Sequence, residues 1–320
     1  MTIRRLSLSV HGRRALSAHG RRAHASARAW TWIVALLVSA GFAGCRRTEP
    51  PTAPVATPSV TLSRGKVPLG APIDITYRFA VAPDAPAFTE NNRVFVHVLD
   101  TDEKLMWTDD HDPPTPTTQW KRGQTIEYVR TVFIPVRPYI GGASIHMGLY
   151  SPVSQRRLTL AGRDAGQRAY TVATLEILPQ SEAVYSVMKD GWHSAETPPN
   201  NDQVEWSWTS KSQATIAFKN PKKDAVFYLD LDNPSDTFPD GQHVQVTLGN
   251  QTVDDFMLPP ARQMLRKIPL SADKFGAEEM VELKVGVDKV FVPAQVNPAG
   301  SKDPRQLGVR VFHAVIAPAN

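Results

Sequence analysis

Ile73-Asp74-Ile75-Thr76-Tyr77-Arg78-Phe79 puts an apolar side chain at every second position over seven residues. Successive side chains of an extended chain point to opposite faces, so this run is satisfied only as a strand with one face buried and the other wet. Val204-Glu205-Trp206-Ser207-Trp208-Thr209 repeats the alternation, and Val94-Phe95-Val96-His97-Val98-Leu99 is denser, as in a central strand. Residues 100–103 form a turn into Lys104-Leu105-Met106-Trp107, which predicts a hairpin. Further strands are predicted at 60–62, 125–134, 144–150, 169–178, 214–218, 225–231, 243–248, 263–268, 281–287 and 309–316. Long helical periodicity is absent, and 27 prolines break the chain into short pieces. Residues 271–280, with Ser271 as cap, are the one stretch read as a short helix.

This pattern predicts an all-β protein of two β-sandwich domains, the first immunoglobulin-like. The boundaries are 60–180 for the first sandwich, 181–203 for a linker rich in Pro, Asn and Ser, and 204–320 for the second sandwich. Ahead of them, 1–44 reads as a signal peptide and 45–59 as an anchor cysteine followed by an extended tether rich in Pro, Thr and Ala.

The leader carries seven arginines and no acid before an uncharged run of 13 residues, 30–42. A bilayer span takes about 20 residues, so this run is a secretory core rather than a membrane helix. Seven of the 36 basic residues and none of the 31 acids lie in the leader, so from Cys45 onward 29 bases face 31 acids. The exported body is nearly neutral, and nothing in its charge favours nucleic acid.

Ala43-Gly44-Cys45, at the end of the core, resembles the lipobox of bacterial lipoproteins, with Phe42 where leucine is usual. The resemblance implies that Cys45 is lipidated and that the chain is cut just before it. The protein is then membrane-anchored in the bacterial envelope, at the outer membrane or facing the periplasm. Arg46 rather than aspartate follows Cys45, which is compatible with outer-membrane sorting. Cys45 is the only cysteine, which excludes an internal disulfide and a thiolate metal cluster.

A second, looser resemblance rests on 94–100, on Asp109-Asp110-His111-Asp112-Pro113-Pro114, on Thr118-Gln119-Trp120-Lys121-Arg122-Gly123 and on Gly148-Leu149-Tyr150. It is to β-sandwich modules carried by, or encoded as lipoproteins beside, bacterial envelope glycosyltransferases, and it implies a non-catalytic sandwich in the envelope.

Two sets of residues are candidates for a site. Asp109, Asp110 and Asp112 gather carboxylates in one loop, which suits a hard cation such as Ca²⁺. Their spacing matches no defined calcium loop, and the competing reading is a solvated loop whose aspartates cap turns. Residues 230–236 are a second acidic turn. Trp206 and Trp208, two apart, face the same side of a strand and could stack sugar rings, with Trp192 and Trp120 adding to such a surface; the competing reading is core. His97 and His146 sit inside strand patterns and read as sheet residues.

No Gly-x-Ser-x-Gly elbow and no phosphate loop is present, and Ser210-Lys211 and Ser301-Lys302 lack the spacing of a catalytic Ser-x-x-Lys pair, so no enzyme and no cofactor are predicted. The first functional reading is a lipid-anchored, non-catalytic envelope protein that binds a polysaccharide or an envelope protein partner. The alternatives are an envelope hydrolase or transferase acting on glycans through an acidic site, and a Ca²⁺-stabilised adhesion module.

Overall fold

The computed structural model describes residues 52–136, 139–200, 204–233 and 237–319. The leader, the lipobox and Cys45 lie outside the described residues, and all the described residues belong to one compact unit, Thr52–Asn320. They form an all-β protein of two sandwiches.

The first sandwich contains β1 (Ala56–Leu62), β2 (Lys66–Pro68), β3 (Pro72–Val81), β4 (Arg93–Leu99), β5 (Leu105–Thr108), β6 (Thr125–Phe133), β7 (Gly141–Tyr150) and β8 (Tyr170–Leu178). One sheet has the order β1-β3-β6 and the other β2-β8-β7-β4-β5. Neighbours are antiparallel except β2, which runs parallel to β8. An opening segment split between the two sheets, three strands against five, is the arrangement of an immunoglobulin-type sandwich. The alternation in β3 is realised as expected: Ile73, Ile75, Tyr77 and Phe79 are buried, while Asp74 and Arg78 are not. The predicted hairpin is β4–β5, which turns on Asp100, whose carboxylate accepts the Asp102 and Lys104 amides.

The density of apolar residues in β4 has a specific cause. Val94, Val96 and Val98 face the core, and Phe95 points the other way yet is only 2% exposed. Its ring lies against Gly148 of the neighbouring strand, where an added Cβ would sit 2.4 Å from ring carbons, and the Arg157 guanidinium covers it at 4.2 Å. Any larger residue at 148 would displace the ring.

The second sandwich contains β9 (Ser186–Met188), β10 (Ser207–Trp208), β11 (Gln213–Lys219), β12 (Ala225–Asp232), β13 (Gln242–Leu248), β14 (Gln251–Leu258), β15 (Met264–Leu270), β16 (Met280–Val287) and β17 (Arg310–Pro318). Its sheets have the orders β10-β17-β12-β15 and β14-β13-β16-β11-β9. A core of Val, Leu, Ile and Phe side chains from both sheets fills the space between them.

Several boundaries differ from the sequence expectation. The strand expected at 60–62 starts earlier, so that 56–59 of the assigned tether belong to β1: Val55 and Ala56 are buried, and the Val55 amide donates to the Thr159 carbonyl. Apolar residues there are sparse, but the edge of β3 supplies a ladder for them. The stretch read as a linker contributes β9, which pairs with β11, and Trp192 and Glu196 bridge to Thr209 and Trp206. The expected helix is a single 3-10 turn, Ala272–Phe275, that buries Phe275 and gives way to β16. Strand β14 was not foreseen, because its sequence, QTVDDFML, is that of an edge strand with one mostly wet face.

The sandwiches meet through the outer face of the β10-β17-β12-β15 sheet. Phe133, the last residue of β6, stacks on His313 at 3.8 Å and 4° and meets Tyr228 edge-on at 6.2 Å. Lys267 pairs with Asp74 at 2.7 Å. A register shift between Asp230 and Leu231 sets Asp230 opposite His313 and Asp232 opposite Arg310. This bulge turns adjacent residues of β17 to one face: His313 meets the first sandwich, while Phe312 packs at 6.2 Å on Trp206.

Candidate functional site

The acidic loop of the first sandwich is a structural network rather than a cation cage. Asp109 holds Arg130 through two bonds, from Nη2 at 2.7 Å and Nε at 3.0 Å, and accepts the Tyr77 hydroxyl at 2.9 Å. Asp110 accepts the Val96 amide at 3.0 Å, and Asp112 lies 3.1 Å from Arg93 Nε. Asp109 faces β3 and β6, whereas Asp110 and Asp112 meet separate residues of β4. Among the described residues no group of three or more His, Cys, Asp or Glu side chains is placed to hold a metal ion. Of these candidates, Asp109 and Asp110 face protein donors, while Asp112 is an exposed side chain beside Arg93.

His111 belongs to the same network. Its Nδ1 lies 2.6 Å from the Asp109 carbonyl, which can only accept, so Nδ1 carries the hydrogen and Nε2 accepts from the Tyr128 hydroxyl at 2.8 Å. Burial is the largest influence on its pKa and pushes it below the ordinary imidazole value. Burial likewise raises the pKa of the Tyr77 and Tyr128 hydroxyls. His97 and His146 are directly opposed across β4 and β7, half-buried, and their pKa values too are lowered by burial first.

The tryptophans separate. Trp120 is core, 5% exposed, between Phe79 at 5.1 Å and Phe88 at 5.6 Å, with its Nε1 donating to the Thr115 carbonyl. It is therefore withdrawn as a ligand candidate: the first sandwich needs its area inside. Trp192 packs against the second core and donates to the Thr215 carbonyl at 2.9 Å. Trp206 and Trp208 do share the outer face, as their spacing predicted, but they grip a cation. The Arg310 guanidinium sits 5.0 Å from the Trp206 ring, 5.9 Å from Trp208 and 5.0 Å from Phe312. It also holds Asp232 bidentately at 2.8 and 2.5 Å.

A cleft of about 500 Å³ opens beside this cluster, walled by Asp232, Asn233, Phe291, Asn297, Ser301 and Arg310 among others. Strands β12 and β17 supply Asp232 and Arg310 as a cross-strand pair. The connection from β16 to β17 supplies Phe291, Asn297 and Ser301. It is fixed by the Phe291–Leu307 bridge and by Arg305, which binds Glu196 at 2.6 Å and Asp303 at 2.7 Å. Phe291 extends the aromatic surface, 6.0 Å from Trp208 and 5.8 Å from Phe238. Asn233 is 2% exposed, and neither its Oδ1 nor its Nδ2 has a partner among the described residues. In sequence Asn233 was an ordinary turn asparagine in the second acidic stretch, and Phe291 and Arg310 lie 58 and 77 residues further along. Only the alternation of Trp206 and Trp208 pointed here.

No protein-family model and no curated protein matches the chain. Among solved structures, the CBM36-1 domain of a multidomain xylanase from the hindgut metagenome of Trinervitermes trinervoides overlaps 43% of this chain and 98% of its own at 9% identity, with a TM-score of 0.26. The C-terminal CBM6 of LamC, a marine laminarinase from Zobellia galactanivorans, overlaps 43% and 94% at 9% identity and a TM-score of 0.25. The CBM22-1-CBM22-2 tandem domain of Xyn10C from Paenibacillus barcinonensis overlaps 78% and 80% at 11% identity and a TM-score of 0.26. Likenesses this slight assign the chain no ligand.

Proposed function

We propose that this chain is a lipid-anchored, non-catalytic protein of the bacterial envelope that binds glycan in the cleft of its second sandwich. The observation that carries the binding reading is the cleft itself. An aromatic residue, Phe291, and the polar residues Asn297 and Ser301 line one concave surface. Apolar area with a few placed polar groups is the usual make-up of a small-ligand site, and a sugar ring offers both kinds of surface to match.

Among the described residues, the one carboxylate lining the cleft is Asp232, which is tied up by Arg310. Hydrolysis of a glycosidic bond in the usual way needs a facing pair of carboxyl groups, so the lining favours holding a glycan over cutting it. The anchoring part rests on the leader and on Ala43-Gly44-Cys45.

Titrating the purified protein against a panel of polysaccharides tests the binding. At least one should bind and release no reducing ends over a long incubation. If no member of the panel binds, the glycan reading fails and a protein partner takes its place. Labelling with palmitate tests the anchor: label should enter the wild type and not Cys45→Ala, and unchanged membrane association of that variant would remove the anchor.

A further inference from the structure

We propose that the end of the first sandwich where β1 begins rests on the anionic headgroups of the bilayer that holds Cys45, which points the second sandwich away from the membrane. The inference rests on the lipid-anchor reading above and adds a surface and an orientation. Cys45 precedes Thr52 by seven positions, and seven extended residues reach about 25 Å at most. Packing begins almost at once. Val55 and Ala56 are buried, the Val55 amide donates to the Thr159 carbonyl, and the Ala161 amide donates to the Ala56 carbonyl. The anchor is thus tied closely to the connection from β7 to β8, residues 151–169.

The strand registers gather one end of the sandwich there. Ala56 pairs with Val81, Ala80 with Thr125 and Arg93 with Tyr150, so β1, β4 and β6 begin at this end and β3 and β7 finish there. Phe133 and Asp74, which meet the second sandwich, lie at the other end of the sheet. The ten residues of β3 put about 30 Å between the two ends.

The near end has the chemistry of a headgroup contact. The 151–169 connection carries Arg156, Arg157, Arg163 and Arg168 against Asp164. Arg156 and Arg163 are exposed, as are Lys121 and Arg122 in the turn before β6. Of the other acids at this end, Asp112 is paired with Arg93, Glu90 accepts the Ser154 hydroxyl, and Asp84 is exposed. Residues 46–51 lie outside the described residues, and with Arg46 and Arg47 against Glu49 they add to the positive side on any course. Val153, at the tip of the connection, is 80% exposed, the most of any large apolar side chain among the described residues. Buried Ser151 fixes that tip, its hydroxyl accepting the Val153 and Ser154 amides, each at 3.1 Å. Anionic lipid attracts a basic surface, and an apolar tip on it can seat among the headgroups. A tether this short keeps the surface at high effective concentration beside the bilayer, so a weak contact is enough.

The test uses the full lipidated chain with vesicles of phosphatidylcholine alone or mixed with phosphatidylglycerol. With Cys45 acylated, Val153→Cys and Lys104→Cys each provide one thiol for a fluorophore, at the near and far ends of the first sandwich, and a lipid-borne quencher reads their depth. On phosphatidylglycerol vesicles the label at 153 should be quenched at least fivefold more than the label at 104. Adding Lys121→Glu, Arg156→Glu and Arg163→Glu together should bring the two within twofold with the melting temperature unchanged, and high salt should do the same without them. Equal quenching at both ends of a chain that floats with the vesicles overturns the docked end and leaves the anchor standing. Stronger quenching at 153 that is indifferent to salt, to phosphatidylglycerol and to the three substitutions overturns the anionic partner. A wild-type chain that floats with neither vesicle overturns the anchor and the docked end together.

Discussion

Both sandwiches hold an aspartate bidentately through an arginine set among several aromatic rings, Asp109 with Arg130 and Asp232 with Arg310, and by exposure these two pairs are nearly the same. The side chains of Asp109 and Arg130 are 12% and 38% exposed, and those of Asp232 and Arg310 are 12% and 32% exposed. Their surroundings differ. Around Asp109, the Tyr77 hydroxyl, His111 and Tyr128 complete a chain of hydrogen bonds in which each group answers another. Around Asp232, the aromatic rings touch the guanidinium but give it no hydrogen bond, a cleft opens alongside, and the amide of the neighbouring Asn233 is buried without a partner among the described residues. A closed network fixes a fold, whereas an open one keeps capacity for something that is not part of the chain. Motif content alone would have ranked them the other way, since Asp109-Asp110-His111-Asp112 looks more like a site than Asp232-Asn233 does.

The comparison can be broken at several points. The largest effect should come from Trp120→Ala, which empties the space beside Phe79 and Phe88 and should cost about 3–5 kcal/mol in chemical denaturation. Unchanged stability would return Trp120 to the surface. Asp109→Ala should cost about 2–3 kcal/mol, less than a fully buried pair because water reaches Arg130, and should leave glycan affinity unchanged. A loss of binding with stability intact would make the first network functional and erase the distinction.

Phe291→Ala should do the reverse, weakening glycan binding about tenfold, since an aromatic contact contributes about 1 kcal/mol, while the melting temperature stays near that of the wild type. A stability loss without a binding loss would assign Phe291 to packing.

The smallest effect is a pH slope. Burial holds the His111 pKa below its ordinary value, so as pH falls from about 7 toward 5 the unfolded chain takes up a proton before the folded one does. Stability should therefore fall over that window, and His111→Gln should flatten the slope measured by thermal unfolding at several pH values. A slope of the same size in the variant would assign it to His97 and His146, whose pKa values are lowered in the same direction.

Much of the fold was legible because strand alternation is a local signal. The run 73–79 and the hairpin at 100–104 could be read from neighbours two residues apart, and both are found where expected. Strands β2, β9 and β14 were missed for the same reason. The first two are only three residues long, and β14 lies at a sheet edge, where burial does not impose alternation. Among the site candidates, spacing put Trp206 and Trp208 on one face correctly. It could not show that Arg310, on the neighbouring strand and 102 residues after Trp208, would fill the space between them.

By itself the sequence determined a chain of short strands in two β-sandwiches, and it carries the lipobox-like Ala43-Gly44-Cys45 on which the anchored reading rests. These are properties of contiguous residues, set by side-chain alternation and by the length of an apolar run. The tertiary structure alone decided which aspartate is closed off, which tryptophan is core, and that the Asn233 amide is buried without a partner among the described residues, beside a cleft with Phe291 and Arg310. Those outcomes depend on which strands become neighbours and where a bulge shifts their register, and residues that far apart in sequence have no way to record it locally.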